Sequence, residues 1–207
     1  MEIAGIVKAL KKRYNWKRGH SSDPFRVLIS TVLSQRTKDA NTEKASSALF
    51  SRFKTPEQMA KADIRTIEKL VRPSGFYKVK ARRIKEISRI IVENFSGRVP
   101  RKMDELLSLP GVGRKTANCV LIFAYRQPVI PVDTHVHRIS NRLGVVRTKT
   151  PEKTETELMK KIPKRYWIDL NELLVTHGQN ICLPRKPHCS ICPIAKWCKK
   201  VGVTSFS

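Results

Sequence analysis

Hydrophobic residues recur at α-helical spacing along almost the whole chain. The first set is Ile3, Ile6, Val7, Leu10 and Tyr14, which would lie on one face of a helix. The longest set runs over residues 78–95 and stops at Ser96-Gly97. No segment alternates apolar and polar residues for long enough to predict a strand, and residues 129–132, the closest, contain Pro131. The pattern therefore predicts an all-α protein.

Local signals indicate where several of these helices begin. A side-chain oxygen just before a helix accepts a hydrogen bond from an unpaired N–H, and proline fits the first turn because it has no N–H. The helix starts predicted in this way follow Asp23, Thr55, Asp63, Asp133 and Thr150. A further apolar helix is predicted over residues 114–125.

The charge of the chain points to an anionic partner. Its 207 residues include 42 Lys and Arg against 17 Asp and Glu, a net charge of +25. Such a domain would repel itself without a polyanion, and nucleic acid is the leading candidate. A membrane surface is the alternative, but the sequence has no apolar run of spanning length and no signal-peptide core. We expect an intracellular protein, cytoplasmic and associated with the nucleoid, that does not bind membranes.

Four of the five cysteines are crowded into seventeen residues near the C-terminus. Disulfide frameworks spread their cysteines over longer loops, so a metal site is the better interpretation. Four thiolates can hold either zinc or an iron–sulfur cluster, and the residue types alone slightly favour zinc. Cys119 stands apart on an apolar helix and is expected to be a small buried hydrophobe. The candidate ligands are Cys182, Cys189, Cys192 and Cys198.

A glycine-rich segment, Leu-Pro-Gly-Val-Gly-Arg-Lys over residues 109–115, precedes the apolar helix. Gly111 and Gly113 permit left-handed backbone angles and keep side chains away from a ligand. The helix that follows has unpaired N–H groups and a positive dipole end, which together form a phosphate seat. Arg114 and Lys115 add positive charge to it. A plain turn between two helices is the alternative.

Lys115 and Asp133, eighteen residues apart, are candidates for chemistry. The helix dipole disfavours the ammonium form of Lys115, and burial in a cleft would act in the same direction. A neutral amine could attack the sugar carbon that bears a base and form a Schiff base. Asp133 could stabilise the developing positive charge or accept the proton of the lysine. The alternatives are a phosphate contact for Lys115 and a helix cap for Asp133.

At these residues the chain resembles the endonuclease III family of helix-hairpin-helix DNA glycosylases, over nearly its whole length. The hairpin at residues 109–117 and the Val-Asp-Thr-His segment at 132–135 carry the resemblance. Gly75-Phe76-Tyr77 with Lys80-Ala81 is similar to a further family segment. The cysteines are separated by six, two and five residues, the spacing of the [4Fe–4S] loop of that family. This resemblance favours the iron–sulfur cluster over zinc.

The resemblance implies a two-lobed, all-α fold of the helix-hairpin-helix DNA glycosylase type, with DNA between the lobes. A six-helix barrel would comprise residues 22–127, and residues 1–21 with 128–207 would form an iron–sulfur cluster domain. Lys115 would be the nucleophile and Asp133 its partner. The implied activity is removal of oxidised pyrimidines, such as thymine glycol, from duplex DNA, followed by cleavage of the abasic site by β-elimination.

The sequence differs from the family pattern at two places, which puts the lesion preference and the opposite-strand readout of this chain in question. Arg36 occupies the position where many members carry a gap-filling glutamine, with Gln35 one residue earlier, and Phe76 replaces a leucine wedge. These departures do not question the chemistry. Two alternative functions stay open: a mismatch-specific (T/G or U/G) glycosylase with weak lyase activity, and a non-catalytic helix-hairpin-helix DNA-binding module. We expect a monomer bound to double-stranded DNA that contains damaged bases or abasic sites. The predicted DNA-binding residues are Gln35, Arg36, Phe76, Lys80, Gly111, Gly113, Arg114, Thr116 and His135.

Overall fold

The computed structural model describes residues 2–16 and 23–207. All regular secondary structure in these two ranges is helical, which confirms the all-α prediction. The α-helices are α1 (Ile3–Arg13), α2 (Pro24–Ser34), α3 (Asp39–Arg52), α4 (Pro56–Lys61), α5 (Ile64–Val71), α6 (Tyr77–Phe95), α7 (Met103–Leu107), α8 (Arg114–Phe123), α9 (Thr134–Leu143), α10 (Pro151–Lys161) and α11 (Trp167–Asn180). Short 3₁₀ turns occur at Arg72–Ser74, Lys164–Tyr166, Cys189–Ile191 and Ala195–Trp197.

The chain divides into two compact units. Ser21–Gln127 form one of them, called here the continuous unit, and Met1–His20 together with Pro128–Ser207 form the other, the split unit. The predicted boundary between residues 21 and 22 lies outside the described residues. The described part of the continuous unit holds the α-helices α2 to α8 and the 3₁₀ turn at Arg72–Ser74. Two of them, α4 and α7, are no longer than six residues.

The continuous unit is organised around α6, its longest helix. This helix packs against α2, α4 and α5, and its buried face includes the fully buried Ile84, Ile87 and Ile91. Helix α8 packs against α2 and α7. The loop after α2, the turn before α6 and the glycine turn before α8 therefore all belong to one small packed body.

The split unit joins the first helix of the chain to its last third. Helix α1 packs against α11, and its buried residues Ile6 and Leu10 enter a core shared with α9 and α11. The Nζ atom of Lys11 pairs with Asp169 at 2.5 Å. The indole of Trp167 donates to the carbonyl oxygen of Ile162 at 2.7 Å, which satisfies a buried donor. Sequence-distant segments thus share one core.

The helix starts follow the local signals in the sequence. Asp23, Thr55, Asp63, Asp133 and Thr150 each accept a backbone hydrogen bond in the first turn of the helix that follows, which confirms those predictions. The predicted end of α8 at residue 125 is wrong, because the helix stops at Phe123. Arg126 then has a left-handed φ of +57°, and the N–H of Gln127 donates back to Leu121 at 2.9 Å. This reversal ends the helix two residues before the predicted position.

Candidate functional site

The glycine turn between α7 and α8 has a backbone shape that requires glycine at one position. Gly111 has a φ of +74°, which non-glycine residues rarely adopt. A Cβ atom on Gly111 would lie 2.7 Å from Cδ of Arg83. Gly113 directly precedes α8, and a Cβ built there meets no described atom within 4 Å. Gly111 therefore sets the turn, and Gly113 leaves open space in front of the helix.

The first turn of α8 is suited to an anion. No side chain of the described residues caps this helix, and its dipole is positive at this end. Lys115 is the second residue of α8, and its side chain is exposed rather than partly buried. An amine at this position can reach solvent and any ligand that approaches the turn. The arrangement suits either a phosphate contact or attack by the amine on a bound sugar.

Two residues predicted to bind DNA instead support the glycine turn. The Nε2 atom of Gln35 donates to the carbonyl oxygen of Gly111 at 2.9 Å and to Oγ1 of Thr116 at 3.3 Å. The side chain of Thr116 is buried in α8. The Thr116 hydroxyl is thus held within the protein, whereas its backbone N–H lies in the first turn of α8, so the DNA contact of this residue stays a prediction. Gln35 and Thr116 together connect the loop after α2 to the hairpin.

Arg36 and Phe76 form an exposed pair on the continuous unit. Both have left-handed backbone angles, with φ of +53° and +48°. The Phe76 side chain is 63% exposed and therefore does not pack in the core. The guanidinium of Arg36 lies 5.8 Å from the centre of the Phe76 ring. Non-glycine residues held in this conformation are strained, and such strain is common at functional sites.

Lys80 does not lie on the surface. Its side chain is only 3% exposed, and its Nζ atom donates three hydrogen bonds within the protein. Burial lowers the pKa of Lys80 to about 8, so the amine still carries its proton at neutral pH. The prediction that Lys80 contacts DNA is therefore wrong, because its ammonium group is enclosed by backbone carbonyls and a hydroxyl.

Asp133 caps α9 in the split unit. Its Oδ1 atom accepts hydrogen bonds from the backbone N–H groups of His135 and Val136, both at 2.9 Å. These bonds hold the carboxylate in one orientation, and neither uses Oδ2. The structural role proposed for Asp133 is thus present, and it is compatible with a chemical one. Lys115 belongs to the other, continuous unit.

His135 and Arg138 lie on the first turns of α9. The Nδ1 atom of His135 is 3.1 Å from Nη2 of Arg138. Because a guanidinium can only donate, Nδ1 is the acceptor, and the other ring nitrogen carries the proton of a neutral ring. Nη2 also donates to the carbonyl oxygens of Gly178 and Cys182, at 3.1 and 2.9 Å. No local signal in the sequence points to Arg138, because its partners Gly178 and Cys182 lie 40 and 44 residues away.

The four clustered cysteines surround a common pocket in the split unit. All four are free thiols, and the pocket is also lined by apolar residues such as Ile139, Leu143 and Ile194. Among the described residues, no three His, Cys, Asp or Glu side chains meet around a single ion. All four cysteines line the same pocket, and four thiolates are the usual ligands of [4Fe–4S]. The residues present fit that group. They are Cys182, Cys189, Cys192 and Cys198.

Hydrogen-bond donors surround the sulfur atoms. Arg142 donates to Sγ of Cys182 at 3.4 Å, and the backbone N–H of Lys200 donates to Sγ of Cys198 at 3.4 Å. Burial raises the pKa of Cys192 to about 11 and also raises the pKa of Cys198. Coordination by iron deprotonates such thiols outright, so the buried pocket suits a bound cluster. Donors to sulfur then stabilise the thiolates.

Tyr14 and His177 connect α1 to this pocket, and the sequence analysis identified neither as a functional residue. The hydroxyl of Tyr14 lies 2.9 Å from Nδ1 of His177, and Nε2 lies 3.6 Å from Sγ of Cys192. Burial raises the pKa of Tyr14 to about 12 and lowers the pKa of His177 to about 4. A coordinated thiolate can only accept, so Nε2 donates to Cys192 and Nδ1 accepts from Tyr14. No local signal could reveal this contact, which spans 163 residues.

The fold and these motifs define a class of DNA repair proteins. Residues 29–164 match the family described as the HhH-GPD superfamily base excision DNA repair protein. The fold is also similar to a solved structure of a thermostable thymine-DNA glycosylase, with a TM-score of 0.81, 28% identity and coverage of 94% of both chains. The class is thus the helix-hairpin-helix base excision DNA glycosylases.

Within that class the chain belongs to the endonuclease III family. Residues 182–198 match the iron-sulfur binding domain of endonuclease III. The chain is 52% identical to endonuclease III of Thermotoga maritima, over 95% of this chain and 92% of the relative. It also resembles the structure of a trapped endonuclease III–DNA covalent intermediate, with a TM-score of 0.85, 35% identity and coverage of 96% of this chain and 95% of that one.

Family membership establishes the general activity. The chain is a DNA-binding, bifunctional glycosylase and abasic-site lyase of base excision repair. Its cofactor is the iron–sulfur cluster that the cysteine spacing indicates, so the zinc alternative is excluded. The non-catalytic alternative is likewise excluded. None of the described helices is long and apolar enough to cross a membrane.

Proposed function

We propose that this glycosylase removes oxidised pyrimidines from duplex DNA, with Lys115 as the nucleophile and Asp133 as its partner in the reaction. The observation that carries the proposal is the exposed amine of Lys115, in the first turn of a helix that follows a glycine turn. Helix N-termini attract anions, so DNA phosphates would be held within reach of the amine. Asp133 supplies a carboxylate fixed by two backbone hydrogen bonds.

The proposed reaction begins with loss of the Lys115 proton to solvent. The neutral amine then attacks C1′ of the damaged nucleotide, and the bond between C1′ and the base breaks. The base leaves with the electron pair of that bond and takes up a proton. Asp133 stabilises the positive charge that develops on the sugar. The product is a covalent adduct between Lys115 and the abasic sugar.

Strand cleavage follows from the same adduct. The sugar ring opens to a protonated imine, which acidifies the protons on C2′. Loss of one of these protons to solvent drives elimination of the phosphate from C3′, and water then hydrolyses the imine to release Lys115. One lysine thus serves both base removal and lyase chemistry.

The proposed DNA contacts come from several exposed elements. The N–H groups and open space at Gly111, Gly113 and Arg114 would accept a phosphate. His135 can donate from its Nε2 atom, since Nδ1 accepts from Arg138. Arg36 and Phe76 would enter the base stack and fill the space left by the extruded base. We propose that one molecule acts alone at each lesion in chromosomal DNA, which would place it at the nucleoid.

Four cysteines are proposed as the cluster ligands, and the role of the cluster is structural. Bound iron and sulfide would link the four thiolates and so fix the loop from residue 182 to 198. That loop has several exposed cationic side chains, and these side chains would contact the DNA backbone. Purified protein with broad visible absorption that bleaches when iron is chelated supports this assignment. The ligands are Cys182, Cys189, Cys192 and Cys198, and the cations include Arg185, Lys186 and Lys196.

The decisive experiment is borohydride trapping on a duplex with one thymine glycol, beside an undamaged duplex. The native protein should form a covalent adduct on the damaged strand alone. The matched variants are Lys115→Ala and Lys115→Arg, the second of which keeps the positive charge. Both should bind the duplex without forming an adduct. An adduct with either variant would exclude Lys115 as the nucleophile.

A mismatch-specific activity is the second candidate, because the fold resembles that of a thymine-DNA glycosylase at 28% identity. A duplex with a single G·T mismatch distinguishes the two. Release of thymine from the mismatch, with thymine glycol left intact, would replace the proposed substrate class by mismatched bases.

A further inference from the structure

Lys80 has no part in the proposed reaction, yet its surroundings are unusual for a lysine. A charged side chain is rarely buried unless partners satisfy it. The Nζ atom donates to the carbonyl oxygen of Leu33 at 2.7 Å, to Oγ1 of Thr37 at 2.6 Å and to the carbonyl oxygen of Ser74 at 2.6 Å. Three acceptors match the three N–H bonds of an ammonium group. The site is thus a fully satisfied buried ammonium.

The three acceptors belong to two separate segments. Leu33 and Thr37 flank the loop that presents Arg36, and Ser74 lies two residues before Phe76. The hydroxyl of Thr37 also hydrogen-bonds the carbonyl oxygen of Ser74, so the two segments are joined directly as well. The buried ammonium group of Lys80 therefore hydrogen-bonds both the loop after α2 and the turn before α6.

The residues that these segments present need such support. Arg36 and Phe76 are exposed, and both have left-handed backbone angles. Strained conformations of this kind persist only where the surrounding structure fixes them. The guanidinium of Arg36 stacks over the Phe76 ring on the outside, while the Lys80 ammonium joins the two backbones from the inside.

We propose that Lys80 is a positioning residue that locks the Arg36 loop and the Phe76 turn into one rigid element, so that both side chains enter the DNA stack together. This inference rests on the proposed function, since it assumes that a base must be extruded. Lys80 itself touches neither the DNA nor the reacting atoms. It acts through the geometry of the two segments above it.

The proposal separates two steps of catalysis. Removal of a damaged base requires unstacking and extrusion of that base, which the inserted side chains support. An abasic site that is already formed has no base to expel. Loss of Lys80 should therefore slow base release far more than it slows cleavage of a preformed abasic site.

The test uses the full chain with its cluster and the variant Lys80→Met, which keeps the length of the side chain but removes its donors. Single-turnover rates are measured on two duplexes of the same sequence, one with thymine glycol and one with a preformed abasic site. A misplaced reacting group can cost up to about 10²-fold in rate. We expect base release to fall about tenfold or more and abasic-site cleavage to fall less than about threefold. Fluorescence of 2-aminopurine opposite the lesion, which reports unstacking, should also fail to rise on binding.

Two controls separate positioning from general damage. Lys78→Met removes an exposed lysine from the same helix and should weaken binding to both duplexes equally. Ile87→Ala creates a cavity at a buried position of the same helix, α6. It should lower stability without changing the ratio of the base-release rate to the abasic-site cleavage rate. If Lys80→Met does not fold, Thr37→Val carries the test, because it removes the shared hydroxyl at nearly constant volume. Its effect on the ratio should have the same direction and be smaller.

The outcomes are distinct. The positioning role would be overturned if the ratio of base release to abasic-site cleavage in Lys80→Met or Thr37→Val equals the ratio in the Ile87→Ala control. Native protein that neither releases thymine glycol nor cleaves the abasic site would instead overturn the proposed function. A selective loss of base release, with the 2-aminopurine signal lost in parallel, supports the proposal.

Discussion

Replacement of Asp133 by alanine and by asparagine should separate its structural role from its chemical role. The carboxylate accepts two backbone hydrogen bonds at 2.9 Å through a single oxygen. Asparagine offers an acceptor at the same place and caps helices as well as aspartate does, whereas alanine offers none. Loss of a cap costs about 1 kcal/mol, within a range of roughly 0.5–2 kcal/mol. For a chain of this size that corresponds to a melting temperature lower by about 2–4 °C.

Both variants lose the negative charge, so both should lose chemistry to the same extent. Electrostatic groups that stabilise a transition state are typically worth on the order of 10²-fold in rate. The assay pairs urea unfolding followed by circular dichroism with single-turnover release of thymine glycol. We expect Asp133→Asn to be nearly as stable as the native protein but about 10²-fold slower, and Asp133→Ala to be both slower and less stable. Full activity in the asparagine variant would refute a chemical role for the charge, and equal instability of both variants would refute the cap argument.

Three further results are expected. Gly111→Ala should lose about 1–2 kcal/mol of unfolding free energy in urea, because φ is +74° and the new Cβ meets Arg83. Gly113→Ala should leave the unfolding free energy nearly unchanged, since its Cβ meets no described atom. Equal losses in the two variants would contradict this expectation. His177→Phe should lose the visible absorption of the cluster faster in air, because the donor to the sulfur is gone, and an unchanged decay would contradict that role. Lys80 has a folded pKa of about 8 against 10.5 as its ordinary value, so between these pH values the unfolded chain holds a proton that the folded chain has released. From about pH 8 to pH 10.5, the unfolding free energy of the native protein should therefore rise relative to that of Lys80→Met. If urea unfolding gives a constant difference between the two proteins over this pH range, the burial of the Lys80 amine is not what lowers its pKa.

The helices could be predicted from the sequence because their signals are local. A capping residue acts on N–H groups two or three positions away, so Asp23 and Asp133 identify their own helix starts. The hairpin was equally accessible, since a glycine turn followed by a helix is a continuous segment. The cysteine spacing likewise requires no knowledge of the fold.

Lys80 was misassigned although the sequence held a signal. It precedes Ile84, Ile87 and Ile91 at intervals of four, seven and eleven residues, which places it on the buried face of α6. The charge of a lysine points to the surface, whereas the periodicity points to the core. A lysine can be buried when backbone carbonyls from other segments accept its hydrogens, and those acceptors cannot be identified before the chain is folded.

The contacts around the cluster pocket could not be predicted at all. Tyr14 reaches His177 across 163 residues, and Arg138 reaches Cys182 across 44. Such pairs depend on which helices pack together, and the apolar pattern of α1 is compatible with many partners. Only the folded split unit brings these side chains to the sulfur atoms.

The split unit has a consequence for the order of events during synthesis. The continuous unit consists of one uninterrupted stretch of chain and can fold soon after it leaves the ribosome. Helix α1 is made before the continuous unit, but its partner α11 is complete only after a further 167 residues have been made. We therefore expect the apolar face of α1 to stay uncovered until α11 has been made. The cysteine loop at residues 182–198 follows α11 in the chain, so delivery of the iron–sulfur cluster would come after the continuous unit has folded.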